Sequence, residues 1–306
     1  MNAPDRAAWL AQRRNGIGAS DIAAVLGISP WKTPLQLYMD KRGELPPQED
    51  APQLRRGRML EPLVLDFYAD ETGHEVTRQQ ECVVGAEPWM LATLDGFDAI
   101  DNAPVEAKTV NAFSAQEFGD HGSDEVPLHY SAQVHWQMML TDASTGYLAA
   151  LIGSDDFRIF TIKRDHDLES LLIARAAEFW QRVQAGNPPE PNSEVDVKLL
   201  YPRDTGSSIE ATPEIADAVA ELAALKAQSK DIETKEGLAG MKIKTFMGEN
   251  ATLIGLDGKP LATWKTAKGS QKTDWKAIAE ALAAPTEIIT AHTATSAGSR
   301  RFLIKG

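Results

Sequence analysis

The chain has 306 residues, with 44 acidic against 31 Lys and Arg side chains and a formal net charge of −13. That length fits one large domain or a larger one plus a smaller one, and 43% apolar residues are enough to bury a core, which excludes disorder throughout. A single cysteine, Cys82, excludes a disulfide scaffold, a four-cysteine zinc site and a cysteine-ligated iron–sulfur cluster.

In chain order, Ser20 is placed to cap a helix over residues 21–26 that Gly27 ends. A second helix is predicted over about 58–72, where Leu60, Leu63, Val64 and Phe67 recur at i, i+3, i+4 and i+7. Strands follow at about 74–84, 89–94 and 104–110, then a helix at 129–142 and strands at 146–152 and 157–163. Asp165 caps a long helix to Ala185, which Gly186 stops. This order predicts a mixed α/β core over residues 1–190. The Pro-rich polar stretch from Gly186 opens a linker over 191–210, and residues 211–306 form a small α+β module. In that module Thr212-Pro213 starts a helix with a stripe of Ile215, Val219, Leu222 and Leu225. Asp257-Gly258 marks a hairpin, and a short helix near 274–283 and a strand at 301–304 complete it. No apolar run approaches the roughly 18–20 residues of a membrane span, and the N-terminus has no signal-peptide core. The expectation is a soluble, cytoplasmic protein without a membrane partner.

Charge is uneven. Residues 1–200 carry 17 basic and 31 acidic groups, whereas residues 251–306 carry 8 and 4. Lys259, Lys265, Lys268, Lys272 and Lys276 make that end basic, either to hold DNA or a partner or simply as solvated surface. Within residues 101–150 Lys108 is the one base among seven acids. On a strand, Glu106 and Lys108 share a face. They form either a surface ion pair or part of a site. Asp95-Gly96 ends an apolar strand, and a hairpin there would set Asp95 beside Glu106. Two carboxylates and a lysine at one strand end would supply hard oxygen ligands for Mg²⁺ and a cation for developing charge. Glu61 has Val64, Leu65 and Tyr68 at i+3, i+4 and i+7. It is either a carboxylate that needs a compensating metal or a first-turn glutamate favoured by the helix dipole. Tyr130, Gln133 and Gln137 fall on one helical face. The six histidines show no paired ligand spacing; His129 and His135 read as helix surface, and Trp31 as a packing anchor.

The ordered set Arg14, Gly16-Ile17-Gly18-Ala19-Ser20-Asp21, Leu60-Glu61-Pro62, Leu94-Asp95-Gly96, Glu106-Ala107-Lys108 and Tyr130…Gln133 resembles the YqaJ-type viral recombinase family. That family comprises phage lambda-type alkaline exonucleases within the PD-(D/E)XK nuclease superfamily, and the resemblance spans about residues 10–185. It implies a restriction-endonuclease-like mixed sheet flanked by helices. It also implies Mg²⁺-dependent (or Mn²⁺-dependent) 5′→3′ digestion of linear double-stranded DNA ends in a bacterial host cell, leaving a 3′ single strand for an annealing protein. By the same resemblance Asp95, Glu106 and the Ala107 carbonyl hold one metal and Glu61 a second. Lys108 activates or stabilises the attack, and Gln133 and Tyr130 line the site. Arg14, Ser20 and Thr93 match a 5′-phosphate pocket, which suits a glycine-rich turn leading into a helix N-terminus. Apart from the resemblance, Arg55, Arg56 and Arg58 form the densest basic cluster beside the proposed site, and in acidic surroundings they read as phosphate contacts rather than a solvated face. A ring-shaped homo-oligomer, such as a trimer, follows from the resemblance as well. The alternatives are an endonuclease of the same superfamily and a non-catalytic DNA-binding recombination scaffold.

Overall fold

The computed structural model describes residues 12–45, 51–78, 82–294, 298 and 300–304. The chain divides into two compact units, Met1–Leu200 and Tyr201–Gly306.

The first unit is built on a five-stranded mixed sheet. Its spatial order is β2 (Val76–Thr77), β5 (Gly96–Asp98), β6 (Ala103–Val110), β7 (Thr145–Ile152) and β8 (Asp156–Lys163). A smaller sheet joins β1 (Ile17–Gly18), β4 (Met90–Thr93) and β3 (Cys82–Val84). β5 and β8 pair antiparallel with their neighbours, but β6 and β7 run parallel. A parallel pair needs a crossover, and α4 (Leu128–Thr141) lies within it. β7 is apolar on both faces because helices cover both, whereas β6 is apolar toward α3 and carries Glu106 and Lys108 toward α4. Val64, Leu65 and Tyr68 of α3 (Pro52–Thr72) pack on Val105, Ala107, Ala149 and Leu151. On the opposite face Val134 and Met138 of α4 pack on Leu148, Ala150 and Ile152. Each fully buried aliphatic side chain contributes about 1.5–3 kcal/mol. The other side of α4 presents Trp136 to Ile17, Ile22 and, from α5 (His166–Ala185), Leu172 and Phe179. The expected mixed α/β unit, a mixed sheet flanked by helices, is the one observed.

Several local expectations are corrected. The buried stripe of α3 is Val64, Leu65 and Tyr68, while Leu63 and Phe67 are largely exposed, because the helix rests on the sheet along the face it shares with Glu61. Ser20 caps no helix. It sits in a 3₁₀ turn, Ala19–Asp21, that leads into α1 (Ile22–Val25), and the Asp21 carboxylate accepts the Gly18 N–H at 3.0 Å instead. An unpredicted helix, α2 (Pro34–Lys41), starts from a capping box in which Thr33 Oγ1 accepts the Gln36 N–H and Gln36 Oε1 accepts the Thr33 N–H. Residues 194–200, expected as linker, form α6 (Glu194–Leu200), whose buried Asp196 accepts the Thr33 hydroxyl at 2.7 Å. Asp95-Gly96 is not a hairpin turn: the chain there leaves β4 in the small sheet and enters β5 in the large one.

In the second unit Thr212 caps α7 (Pro213–Met247), and β9 (Thr252–Ile254) pairs with β10 (Pro260–Thr263) around Gly258, whose φ is 80°. Two short helices follow, α8 (Trp275–Ala281) and α9 (Thr286–Ala291). The strand expected over 301–304 does not form, and no strand among the described residues pairs with it.

Gly96 is held by close packing. A Cβ there would lie 2.5 Å from Val76 Cγ1 and 3.0 Å from Leu65 Cδ2. Gly96→Val should therefore lower stability by about 1–3 kcal/mol through overpacking, read as a drop in thermal midpoint. An unchanged midpoint would contradict this packing.

Candidate active site

The site begins where β5 stops. β5 pairs with β6 only from Asp98↔Ala103 to Gly96↔Val105, whereas β6 continues to Val110. On that side the ladder groups beyond Val105 have no strand partner among the described residues. Asp95, immediately before β5, fills the first vacancy: the Ala107 N–H donates to Asp95 Oδ2 at 2.9 Å. A strand residue projects its N–H and C=O to the same side, so the Ala107 carbonyl lies on this open edge with the Asp95 carboxylate.

Glu106 and Lys108 face α4. Gln133 Nε2 donates to Glu106 Oε1 at 2.6 Å and Gln137 Nε2 donates to Glu106 Oε2 at 2.5 Å. The Lys108 ammonium also donates to Glu106 Oε1. Glu106 is 1% exposed, so the surface ion-pair reading fails. A carboxylate this deep is tolerable because three donors converge on it.

Glu61 enters from the other face of the sheet. It lies more than two turns past Pro52, which removes the first-turn reading. Burial, then repulsion from Glu106, raises its pKa against Lys108 and Arg58. Burial, then Glu106, pushes Asp95 well above the carboxylate range, with Glu61 adding to the repulsion. Burial opposes the Lys108 charge, but attraction to Glu106 and Asp95 overcomes it and raises its pKa. The amine is therefore protonated at neutral pH. Three mutually repelling carboxylates around one ammonium leave an excess of negative charge that a divalent cation would relieve.

Tyr130 places its ring 5.5 Å from Lys108 Nζ, and burial raises its phenol pKa. The structure thus brings together Glu61, Asp95, Glu106, Ala107, Lys108, Tyr130 and Gln133. Gln137, which the sequence placed only on the same helical face, is the second amide on Glu106 and is fully buried. Its i+4 spacing from Gln133 was the available signal.

Beside Arg14 and Ser20, the structure adds Arg13 to this corner. Arg13 Nη2 donates to Ser20 Oγ at 2.6 Å and lies 3.3 Å from Asp21 Oδ1, whereas Arg14 is exposed near the Gly43 turn. The buried Lys41 ammonium, 2.6 Å from Asp21 Oδ2 and 2.7 Å from the Arg13 carbonyl, fixes this corner. Burial disfavours the Asp21 charge, yet Lys41 and Arg13 hold its pKa far below the usual carboxylate range. Gly18 is in register with Leu91, so the Ala19–Asp21 turn begins beside the end of β4, where Thr93 is half-buried. Arg55, Arg56 and Arg58 are exposed on the first turns of α3. Trp31 is no packing anchor: it is 68% exposed, edge-on to His129 at 4.8 Å between ring centroids. His135 is buried in the core, not on a helix surface.

A group of three potential ligands lies elsewhere: His74, Asp98 and Asp101, with ligand atoms within 4.8 Å of one another. Asp98 has no capacity left for a metal. Oδ2 accepts from the Tyr68 hydroxyl (2.9 Å) and bonds His74 Nδ1 (2.7 Å), and Oδ1 accepts the N–H groups of Ile100 (2.9 Å) and Asp101 (3.1 Å). With four acceptor sites used, this is a structural brace between α3, β2 and β5.

The site is therefore an Asp and a Glu-x-Lys at the open edge of a mixed sheet, with a second Glu from the covering helix. Residues 8–144 match the model of the YqaJ-like viral recombinase domain. The chain is 29% identical over 267 residues to a Bacillus subtilis (strain 168) protein described as uncharacterized protein YqaJ, covering 84% of this chain and 82% of that one. Among solved structures it is similar to an alkaline exonuclease from Laribacter hongkongensis, with 20% identity, a TM-score of 0.49 and coverage of 58% of this chain and 93% of that one. It is also similar to a phage-related exonuclease from Haemophilus somnus 129PT, with 14% identity, a TM-score of 0.43 and coverage of 55% and 93%. No helix among the described residues is long and apolar enough to cross a membrane.

The brace titrates. The hydrogen bond to Asp98 raises the His74 pKa, so its stabilisation is complete below the ordinary histidine value of about 6.5 and fades as pH rises through the raised folded value. The urea midpoint of His74→Phe should fall further below wild type at pH 6 than at pH 9, with any divalent-cation binding unchanged. An equal gap at both pH values, or lost cation binding, would contradict the brace.

Proposed function

We propose that the chain is a divalent-metal-dependent exonuclease that digests linear duplex DNA 5′→3′ and leaves a 3′ single-stranded tail for an annealing protein. The observation that carries this reading is the meeting of Glu61, Asp95, Glu106 and Lys108 at the open edge of β6. The donor set suits Mg²⁺ or Mn²⁺: hard oxygens, crowded and repelling, with Asp95 Oδ1 not engaged by the Ala107 N–H. Asp95, Glu106 and the Ala107 carbonyl would hold one ion and Glu61 a second. Bound there, the metal would neutralise phosphate charge and lower the pKa of a coordinated water.

The chain's own residues have separable tasks. Gln133 and Gln137 fix the Glu106 carboxylate in one orientation. Lys108, kept protonated by its neighbours, serves as a positive charge facing the scissile phosphate rather than as a base. Tyr130 covers the lysine and limits water around it. Arg13 and Ser20, with Thr93 at the end of the neighbouring strand, supply donors for a terminal 5′ phosphate. The exposed arginines Arg55, Arg56 and Arg58 are placed for backbone phosphates of the duplex. A ring of identical chains, such as a trimer, would suit sustained digestion of one duplex.

The test is Mg²⁺-dependent digestion of linear duplexes labelled at either end. Loss of the 5′ label first, with Glu106→Gln and Lys108→Ala each slower by at least about 10²-fold, is the expected result. A covalently closed circle cut as fast as the linear form would make the enzyme an endonuclease, and activity undiminished in both variants would end the proposal. In the same assay Arg13→Ala should erase any preference for 5′-phosphorylated ends while Arg14→Ala keeps it. The reverse result would return the pocket to Arg14.

A further inference from the structure

The helix α7 carries a seam that nothing among the described residues of its own unit covers. Ile215, Leu222, Leu225, Ile232, Ile243 and Phe246 recur at the a and d positions of a heptad that starts at Ile215, with Ala218 and Ala239 between them. These positions are open: Ile215 is 54% exposed, Ile232 62% and Phe246 79%. The hairpin's Trp264 shares a cleft with Met241 and Thr245, which lie on the other side of the helix. Met247 alone is buried among the 35 residues of α7, and Gly237 and Gly240 weaken its interior. A helix of this kind draws its stability from a partner. The register runs over more than four heptads, apolar at eight of its ten a and d positions and broken at Ser229 and Glu236.

We propose that the partner is a second copy of this chain, packed antiparallel along α7. The flanking charges select both the occupant and the direction. With Ile215 opposite the partner's Phe246, every a position meets a d position, and the g and e positions fall into matched pairs. Glu221 then faces the partner's Lys242, and Lys226 faces the partner's Glu233. Two-fold symmetry repeats each pair, giving four opposite-charge contacts, and no like charges face each other within the helix. The polar breaks agree. Glu236 meets the partner's Leu225 with the partner's Lys226 beside it, and Ser229 meets the partner's Ile232. A parallel pair in register would instead set Glu236 against the partner's Glu236 inside the seam, an unpaired buried repulsion. The direction is therefore set by repulsion avoided as well as by attraction gained.

Sedimentation equilibrium of the full chain tests the interface. Ile232→Lys alters an exposed position, so folding is retained, and with α7 as the contact that joins two copies it should halve the mass. The double variant E221C/K242C places two thiols 21 residues apart on one helix, about 31 Å by helical rise, too far to link within one chain. A short bis-maleimide should convert it to a covalent dimer, while E221C alone, which retains Cys82, stays uncross-linked. A mass unchanged by Ile232→Lys, or a double variant that is no better linked than E221C, would overturn the proposal.

Discussion

A single hydrogen bond organises the site: the Ala107 N–H, left without a strand partner when β5 ends at Gly96, donates to Asp95. An interior strand with a bare ladder edge would leave buried amides unsatisfied. Asp95 closes the first of these and in doing so is anchored beside Glu106. The same interruption opens the sheet, so that Glu61 from α3 on one face and the α4 amides from the other reach a common place. Shorten the gap by extending β5, and the groups of the two faces would be separated by paired backbone.

The remaining arrangement follows from keeping charge where burial opposes it. Glu106 is deep in the unit, and two amides and an ammonium fix its direction while taking three of its four acceptor sites, two on Oε1 and one on Oε2. Asp95 and Glu61 are less fully compensated, which is why burial and mutual repulsion raise both pKa values. A protein gains nothing in stability from such crowding. Strained ionisation of this kind concentrates at functional positions, and its natural relief is a cation held by hard oxygen. The contrast with Asp98 is instructive: that carboxylate has four partners, a lowered pKa despite burial, and no remaining capacity to bind.

Much of the first unit was legible because its signals are local. Asp165 and Gly186 bracket α5 by capping chemistry, and the apolar runs of β6 to β8 need only length and periodicity. The Glu-x-Lys face followed from strand alternation alone. Other features depended on tertiary contact. That Arg13 reaches Ser20 depends on the path of the chain before β1, which no local signal gives. Trp31 has the composition of a core residue, yet it stands at the surface against His129. The Thr33–Gln36 capping box was present in the sequence and announced α2. The role of Gln137 required knowing which face of α4 meets Glu106. The strand expected over 301–304 had apolar character but no neighbour to pair with, and a strand without a ladder does not persist.

The account stands on a divalent cation held at the open edge of β6. Mn²⁺ binding to the whole chain, followed by electron paramagnetic resonance without DNA, measures that directly. Wild type and Asp98→Asn should bind Mn²⁺ alike, and Asp95→Asn should lose it. Undiminished binding in Asp95→Asn with loss in Asp98→Asn would place the ion at the His74 brace and contradict the account.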